Sequence, residues 1–185
     1  MATNLSELLD KNWRMSHLYS IQDKNKQIVT FVRNPAQQHF EDNRANRNLI
    51  LKSRQLGFTS LEAIDALDDV LFNLNFNALF LAHVKEEATK IFDNKIMFAW
   101  QNLDETIKRK SWVADTEKAN LLKLDFVSSK LKDKPFSSIS VATSGRSGTF
   151  SRVHISEFAK LCHDFPRKAE EIITEEVERM MLRLK

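Results

Sequence analysis

The chain of 185 residues carries a formal net charge of +3 and contains 42% hydrophobic and 29% charged residues, which predicts one soluble globular domain with a real core. No run of 18 apolar residues occurs, which excludes a membrane-spanning helix, and the polar first residues predict no secretory signal. The single cysteine, Cys162, excludes an internal disulfide, and no Cys/His cluster has the spacing of zinc ligands.

Apolar spacing and turn residues predict the secondary structure in chain order. The first part is predicted to contain a helix over 5–21, a loop over 31–38, a strand over 48–52, a helix over 57–73, a strand over 78–82 and a helix over 85–108. Further strands are predicted over 122–127, 138–142 and 153–156, before a terminal helix over 166–184. Short apolar strands that alternate with helices predict an α/β fold, with a mostly parallel central sheet flanked by helices.

The segment around Gly57 has much of a phosphate-binding loop, whose usual pattern is G-x-x-x-x-G-K-[ST] between a strand and a helix. Gly57 takes the place of the second glycine, and Thr59 takes the place of the hydroxyl that binds Mg²⁺. Lys52 replaces the first glycine and Phe58 replaces the lysine, so Lys52 and Arg54 are the candidates to supply positive charge over the phosphates. The alternative is an ordinary strand-to-helix turn with incidental cations.

The predicted strand over 153–156 ends in Ser156 and Glu157, after a loop that contains Gly145 and Gly148. An acidic residue at the tip of a buried strand is where nucleotide hydrolases hold Mg²⁺ and orient water, so Glu157 is a candidate catalytic carboxylate. Ser156 stands where an aspartate is usual, and its hydroxyl can accept a hydrogen bond from a metal-bound water. The alternative is a strand that ends in a surface glutamate.

A third pattern lies upstream of the loop, where Asn34 and Pro35 are followed by Gln37. A glutamine amide carries donors and an acceptor, so it can pair with N6 and N7 of adenine. The alternative is a capped loop without a ligand.

In this order, the three patterns resemble the ATPase domain of the large terminase subunit of tailed bacteriophages, over about residues 31–162. The segment 49–59 looks like the deviant phosphate loop of that family, and the segment 145–159 looks like its acidic strand with the preceding glycine-arginine loop. The resemblance implies a P-loop NTPase (ASCE-like) core within one N-terminal ATPase domain over 1–185. We expect a helical lead-in over 1–30, the nucleotide-binding core over 31–162 and a C-terminal helix over 163–185.

The resemblance also implies a role for each matching residue. The catalytic residues would be Glu157, Arg54 as a contact to the γ-phosphate and Arg146 as an arginine finger that reaches a neighbouring subunit. The nucleotide-binding residues would be Lys52, Ser53, Gln55, Gly57, Phe58, Thr59, Ser60, Gln37 and Asn34. The Mg²⁺ ligands would be Thr59, Ser156 and Glu157.

The function implied by the resemblance is ATP hydrolysis with Mg²⁺ that drives viral double-stranded DNA into the procapsid. The implied partners are the small terminase subunit, the portal protein and other copies in a ring, in the cytoplasm of the bacterial host and without a membrane. We expect neither the nuclease domain of the family nor its Ser/Thr-rich coupling strand in these 185 residues. The alternatives are a truncated, catalytically weak P-loop module that acts through assembly with these partners, and another P-loop DNA translocase or helicase.

Overall fold

Helices and strands alternate along the part of the chain that the computed structural model describes, which comprises residues 5–53, 55–109, 122–126, 137–144 and 149–174. The helices are α1 (Leu5–Leu9), α2 (Lys11–His17), α3 (Pro35–Asp42), α4 (Phe58–Phe72), α5 (Lys85–Ile91), α6 (Phe98–Gln101), α7 (Glu105–Arg109), α8 (Phe158–Asp164) and α9 (Pro166–Ile172), with a π-helical turn over Phe92–Met97. The strands are β1 (Ser20–Gln22), β2 (Ile28–Thr30), β3 (Asn77–Leu81), β4 (Lys123–Phe126), β5 (Ser137–Ala142) and β6 (Arg152–Ile155). Within these ranges, no helix is both long and apolar enough to cross a membrane.

The central sheet has the strand order β4-β5-β3-β6 among the described residues. Strand β3 pairs in parallel with both β5 and β6, so that Leu79 lies between Ser140 and Val153. Strand β4 runs antiparallel to β5. The predicted α/β fold with a mostly parallel sheet flanked by helices is therefore confirmed at this level.

The two faces of the sheet bury different sets of residues. Phe80 and Ile139 belong to the larger hydrophobic core, which also contains the apolar side of α4. Leu79 and Leu81 belong to a second core with residues of α8 and α9. Since successive side chains of a strand point to opposite faces, α4 covers one face of β3 and the pair α8–α9 covers the other.

Helix α4 runs antiparallel to the strands it covers. Its carboxyl end lies at the start of β5, because the Ser137 hydroxyl donates a hydrogen bond to the carbonyl of Asn73 (3.0 Å). The helix has 15 residues and is therefore about 22 Å long, enough to span the sheet. Its amino end thus lies at the opposite edge, where the parallel strands β3, β5 and β6 end.

The predicted helix over 5–21 is wrong in its middle and at its end. Asp10 has an extended backbone between α1 and α2, and its carboxylate accepts a hydrogen bond from the Asn12 amide (2.8 Å). This side-chain cap starts a new helix, as expected for aspartate at an N-cap. Strand β1 follows at Ser20 and forms a hairpin with β2, so the lead-in over 1–30 is only partly helical.

The predicted loop over 31–38 is also wrong beyond Asn34. Asn34 is extended, as expected before a proline, but Pro35 then occupies the first turn of α3. The Asn34 side chain accepts from the Gln37 amide, and the Gln37 side chain accepts from the Asn34 amide. This reciprocal capping box satisfies two backbone donors and starts the helix.

The predicted strand over 48–52 does not form. Leu49 and Leu51 have exposed fractions of 85% and 101%, and the segment has no ladder partner among the described strands. An apolar run becomes a strand only where a neighbouring strand pairs with it, which local sequence cannot report.

The remaining predicted elements differ mainly in length. The helix over 57–73 and the strands over 78–82, 138–142 and 153–156 are confirmed within about one residue as α4, β3, β5 and β6. The helix over 85–108 is divided by the π-helical turn and again after Gln101. Strand β4 matches the strand over 122–127, whose last residue lies outside the described part. Pro166 starts α9 as predicted, and the end of the predicted terminal helix also lies outside it.

Candidate functional site

Polar residues gather at the edge where the parallel strands end. His83 follows β3, Thr143 and Ser144 follow β5, and Ser156 and Glu157 follow β6. Backbone hydrogen bonds extend the ladder past the strand ends, from Ala82 to Ala142 (3.0 Å) and from Ser156 to Leu81 (2.8 Å). In open α/β sheets, this carboxyl edge is where ligands bind.

The amino end of α4, defined here as Gly57–Ser60, reaches the same edge. Arg152 at the start of β6 binds Asp65 and Asp69 of α4 at 2.5 Å and 3.0 Å, which fixes the level of the strand against the helix. Ser156 lies four residues further along β6, about 13 Å nearer the edge. Thr59 precedes Asp65 by six residues and Asp69 by ten residues along α4. It therefore lies about 9–15 Å nearer the carboxyl edge of the sheet than these two aspartates do. The two predicted metal-binding hydroxyls are therefore placed at the same level.

They also lie on the same side of the sheet. The side chains of Arg152, His154 and Ser156 alternate with those of Val153 and Ile155, which pack into the α8–α9 core. Since Arg152 contacts α4, His154 and Ser156 share the α4 face. Ser156 is buried and Thr59 is half-buried.

Glu157 occupies a strained turn between β6 and α8. Its backbone is left-handed, with φ 53° and ψ 47°, a conformation that residues other than glycine, asparagine and aspartate seldom adopt. The carboxylate is half exposed (49%) and forms an ion pair with Lys160 at 3.9 Å. Strain of this kind is concentrated at functional sites, and here it directs an accessible carboxylate from the end of a sheet strand.

The phosphate loop divides into an exposed part and a buried part. Lys52, Ser53 and Gln55 are exposed, whereas the Phe58 side chain is buried and packs edge-on against Phe40 with ring centroids 5.6 Å apart. Of the predicted nucleotide-binding groups, Phe58 could therefore contribute only its backbone amide. Gly57 has a left-handed backbone (φ 72°), and no side chain caps the first turn of α4 within the described residues. Among the described residues, no side chain therefore competes with a possible anion for the first amides of this helix.

Two predicted site residues, Arg54 and Arg146, lie outside the described part of the chain, as do Gly145 and Gly148.

The side chains of Asn34 and Gln37 contact the backbone of the predicted phosphate loop at Leu56 and Gly57. Gln37 is only 3% exposed, and its amide nitrogen donates to the carbonyls of Leu56 and Gly57. The capped structure that was the alternative for this segment is present, and adenine recognition by Gln37 stays a prediction.

Sequence reasoning missed a set of ion pairs along one side of α4. The acidic side of α4 consists of Glu62, Asp65, Asp68 and Asp69, all of which are buried. Their partners come from distant segments and are Lys11, Arg14, Arg44 and Arg152. The only sequence signal was the helical spacing of the acidic residues.

The ion pairs on the acidic side set the charge state of its carboxyls. Burial by itself would raise the pKa of Asp65, but Arg152, Lys11 and Arg44 outweigh burial and lower that pKa. Burial raises the pKa of Glu62, and the same arginines offset that effect only in part.

His154 lies on β6 between the acidic side and the amino end of α4. Its ring packs against Phe80 with centroids 5.1 Å apart, and its Nε2 is buried without a hydrogen-bond partner in the described structure. Burial, together with the positive charges of Arg152, Arg44 and Lys52, lowers the pKa of His154 to about 4. The ring is therefore neutral at pH 7.

A scan against models of known protein families finds no match for this chain, and a search of curated proteins finds no matching sequence.

Proposed function

We propose that the chain binds a nucleoside triphosphate with Mg²⁺ at the carboxyl edge of the sheet and hydrolyses it, as the ATPase domain of a viral DNA-packaging motor. The observation that carries this proposal is the meeting of three features at one edge. These are the amino end of α4, which no described side chain caps, the buried residue Ser156, and the carboxylate of Glu157, whose backbone is strained.

Phosphates suit the amino end of α4 for two reasons. The first amides of a helix have no intrahelical acceptors, and the helix dipole favours an anion at this end. Lys52 is exposed in the segment that leads into the loop, and its positive charge contributes to the lowered pKa of His154. In the proposed reaction, Lys52 and Arg54 offset the charge that develops on the phosphoryl oxygens.

The oxygen donors at the edge fit Mg²⁺ only as part of a nucleotide complex. No group of three or more His, Cys, Asp or Glu side chains that could hold a metal occurs in the described residues. Mg²⁺ is usually bound through one or two carboxylates together with substrate phosphates and waters. Thr59, Ser156 and Glu157 would hold the ion in this way, and the bound ion would neutralise charge on the phosphates.

In the proposed reaction, Glu157 orients the water that attacks the γ-phosphorus. An exposed carboxylate at the end of a sheet strand can accept a proton from this water while the bond between the γ-phosphorus and its bridging oxygen breaks and ADP leaves on the opposite side. Arg146, in the loop before β6, is proposed to complete the site of an adjacent copy. ATP hydrolysis would then depend on a ring assembled with the portal, the small terminase subunit and double-stranded DNA.

The first test is a thermal melt with and without Mg²⁺ and a non-hydrolysable ATP analogue. A ligand that binds only the folded state stabilises it by about 2.7 kcal/mol at a hundred times its Kd. We expect wild type to be stabilised by several degrees and Lys52→Ala to lose that shift. Lys24→Ala, which removes an exposed lysine from the β1–β2 turn, is the matched control and should keep it. No shift in wild type would contradict the proposed nucleotide site.

The second test measures turnover in Glu157→Gln. Loss of a positioned base should lower ATP hydrolysis by roughly 10²- to 10⁴-fold, while the analogue still shifts the melting temperature. Glu170→Gln, an exposed change on α9, should leave both readouts at the wild-type level. Joint loss of binding and turnover in Glu157→Gln would count against the proposed role.

A second candidate function is a P-loop module that binds nucleotide only after assembly. The exposed segment 48–52 favours it, because the residues that lead into the phosphate loop are not fixed by the sheet. In that case, the isolated chain would show no shift with the analogue, and a shift would appear when DNA or a partner subunit is added.

A further inference from the structure

Two amide side chains of α3 hold the backbone of the phosphate loop. The Asn34 amide nitrogen donates to the Leu56 carbonyl at 3.1 Å. The Gln37 amide nitrogen donates to the carbonyls of Leu56 at 3.3 Å and Gly57 at 2.9 Å. The carbonyls can only accept, so they fix which end of each amide faces the loop.

These contacts use both donors of Gln37. Its side-chain oxygen accepts from the Asn34 backbone amide at 3.0 Å, so neither end of the side chain is without a partner. Adenine recognition by this side chain would need one donor for N7 and one acceptor for N6. Gln37 would have to release a loop carbonyl to contact N7, which leaves a buried polar group unsatisfied.

The contacts also orient the first turn of α4. The Gly57 carbonyl accepts from both Gln37 and the Leu61 amide (3.0 Å), which ties the loop to the start of the helix. Gly57 is in the left-handed region, and a Cβ at this position would lie 2.9 Å from the Gln37 amide nitrogen. The loop and the amide are therefore fitted to each other, with the loop carbonyls turned towards α3.

We infer that Asn34 and Gln37 are positioning residues that clamp the phosphate loop, and that the site recognises the triphosphate rather than adenine through this pair. This inference rests on the proposed nucleotide site. A loop whose carbonyls are held on one side keeps its amides ready for phosphate oxygens, so part of the ordering cost of binding is met in advance.

Gln37→Glu and Asn34→Asp test the clamp, because each replaces an amide donor with a carboxylate of almost the same shape. Aspartate also serves as an N-cap, so Asn34→Asp keeps the cap of α3 and loses only the donor to Leu56. Gln38→Glu makes the same change one residue along, where the side chain is exposed, and is the matched control.

The binding experiment compares ATP, GTP and inorganic tripolyphosphate, each with Mg²⁺, by titration calorimetry. The clamp predicts that Gln37→Glu and Asn34→Asp weaken all three ligands by a similar factor, roughly tenfold for a lost buried hydrogen bond. The ratio of ATP to GTP affinity should stay at the wild-type value. A loss confined to ATP, with tripolyphosphate unchanged, would overturn the inference in favour of adenine recognition.

A second readout needs no ligand. Hydrogen exchange of the amides over 56–61 should become faster in both variants than in wild type and Gln38→Glu, because the clamp no longer holds the loop. Unchanged exchange in this segment would overturn the clamp even if nucleotide binds. If wild type binds none of the three ligands but the exchange still rises, the proposed function fails and the clamp stands.

Discussion

The acidic side of α4 and its amino end differ in whether their polar groups have partners. On the acidic side, four buried carboxylates meet cations from α2, the segment after α3 and β6. At the amino end, Gly57 is exposed, Thr59 is half-buried and no described side chain caps the first turn. A buried charge is tolerated only when it is paired, so the acidic side is a fixed structural contact. Among the described residues, the first turn of α4 has no such side-chain partner, as the proposed ligand site requires.

The difference indicates how one helix could serve both as an anchor and as the proposed binding site. Asp65 and Asp69 hold β6 through Arg152, and Asp68 holds α2 through Arg14. These contacts fix α4 along its length relative to the sheet. Changes on the acidic side should therefore act on folding, and changes at the amino end should act mainly on ligand binding.

The largest expected effect comes from Asp68→Asn. Asp68 is fully buried and accepts hydrogen bonds from Arg14 Nε (2.9 Å), Arg14 Nη2 (2.7 Å) and the Tyr19 hydroxyl (2.7 Å). The substitution leaves the Arg14 charge buried without its counterion, which should lower the free energy of unfolding by about 3–5 kcal/mol. Urea unfolding followed by circular dichroism measures this change.

The triple variant Asp68→Leu, Arg14→Met and Tyr19→Phe is the control for this mechanism, because the Tyr19 hydroxyl also loses its acceptor when Asp68 is replaced. Removing both charges and this hydroxyl together should restore much of the stability, because apolar residues can replace a buried ion pair. A loss below about 1 kcal/mol in Asp68→Asn, a size typical of surface pairs, would show that the acidic side is not the anchor we describe.

His154 lies on β6 between the acidic side and the amino end of α4, and its protonation gives the next largest expected effect on stability. Its pKa is about 4 in the folded protein against 6.5 for the unperturbed group. The unfolded state therefore binds a proton at a higher pH than the folded state does. Stability from the neutral ring is complete above pH 6.5 and falls as the pH decreases to about 4, by up to about 3 kcal/mol.

Unfolding free energies of wild type and His154→Gln, measured between pH 7 and pH 4, isolate this effect. Glu62 and Asp65 also titrate in the acid range, so the informative quantity is the difference between the two proteins. The variant should lose less stability on acidification than wild type does. His17→Gln, an exposed change on α2, should follow wild type. Parallel curves for wild type and His154→Gln would contradict a buried neutral ring.

Local pattern was sufficient for the elements that form the centre of the fold. Helix α4 and strands β3, β5 and β6 follow from apolar runs with clear boundaries, and their carboxyl edge follows from parallel pairing. The segment 48–52 has an equally apolar pattern and fails, because strand formation depends on a partner that the segment itself does not specify. The predicted helix over 5–21 and the predicted loop over 31–38 fail at Asp10 and Pro35, because residues that start a new helix also occur where a helix or strand ends.

The candidate site could be predicted only as a set of positions. The sequence placed Thr59, Ser156 and Glu157 at element ends, and the fold brings those ends to one edge. It did not indicate that Gln37 binds the Gly57 carbonyl of the predicted phosphate loop or that Arg152 reaches Asp65, 87 residues away along the chain. Contacts of this kind depend on how elements pack, and residue spacing within one segment does not contain that information.

The smallest expected effect on stability comes from Gly57→Ala, and it separates the two parts of α4 most directly. Alanine in a left-handed conformation costs about 1–2 kcal/mol, and its Cβ would lie 2.9 Å from the Gln37 amide. The same change displaces the loop carbonyls and hence the first amides of α4. We expect a modest fall in the melting temperature together with loss of the shift caused by the nucleotide analogue.

Pairing Gly57→Ala with Gln37→Ala distinguishes the backbone strain at position 57 from the close contact between the new Cβ and the Gln37 side chain. Removing the amide relieves the contact with the new Cβ but leaves the backbone strain, so the double variant should cost less than the sum of the single variants. Asp68→Asn should lower the melting temperatures with and without the analogue by similar amounts, because the acidic side does not touch the ligand. If Gly57→Ala behaves in that same way, the amino end of α4 is a structural turn and the division of the helix into anchor and binding site is wrong.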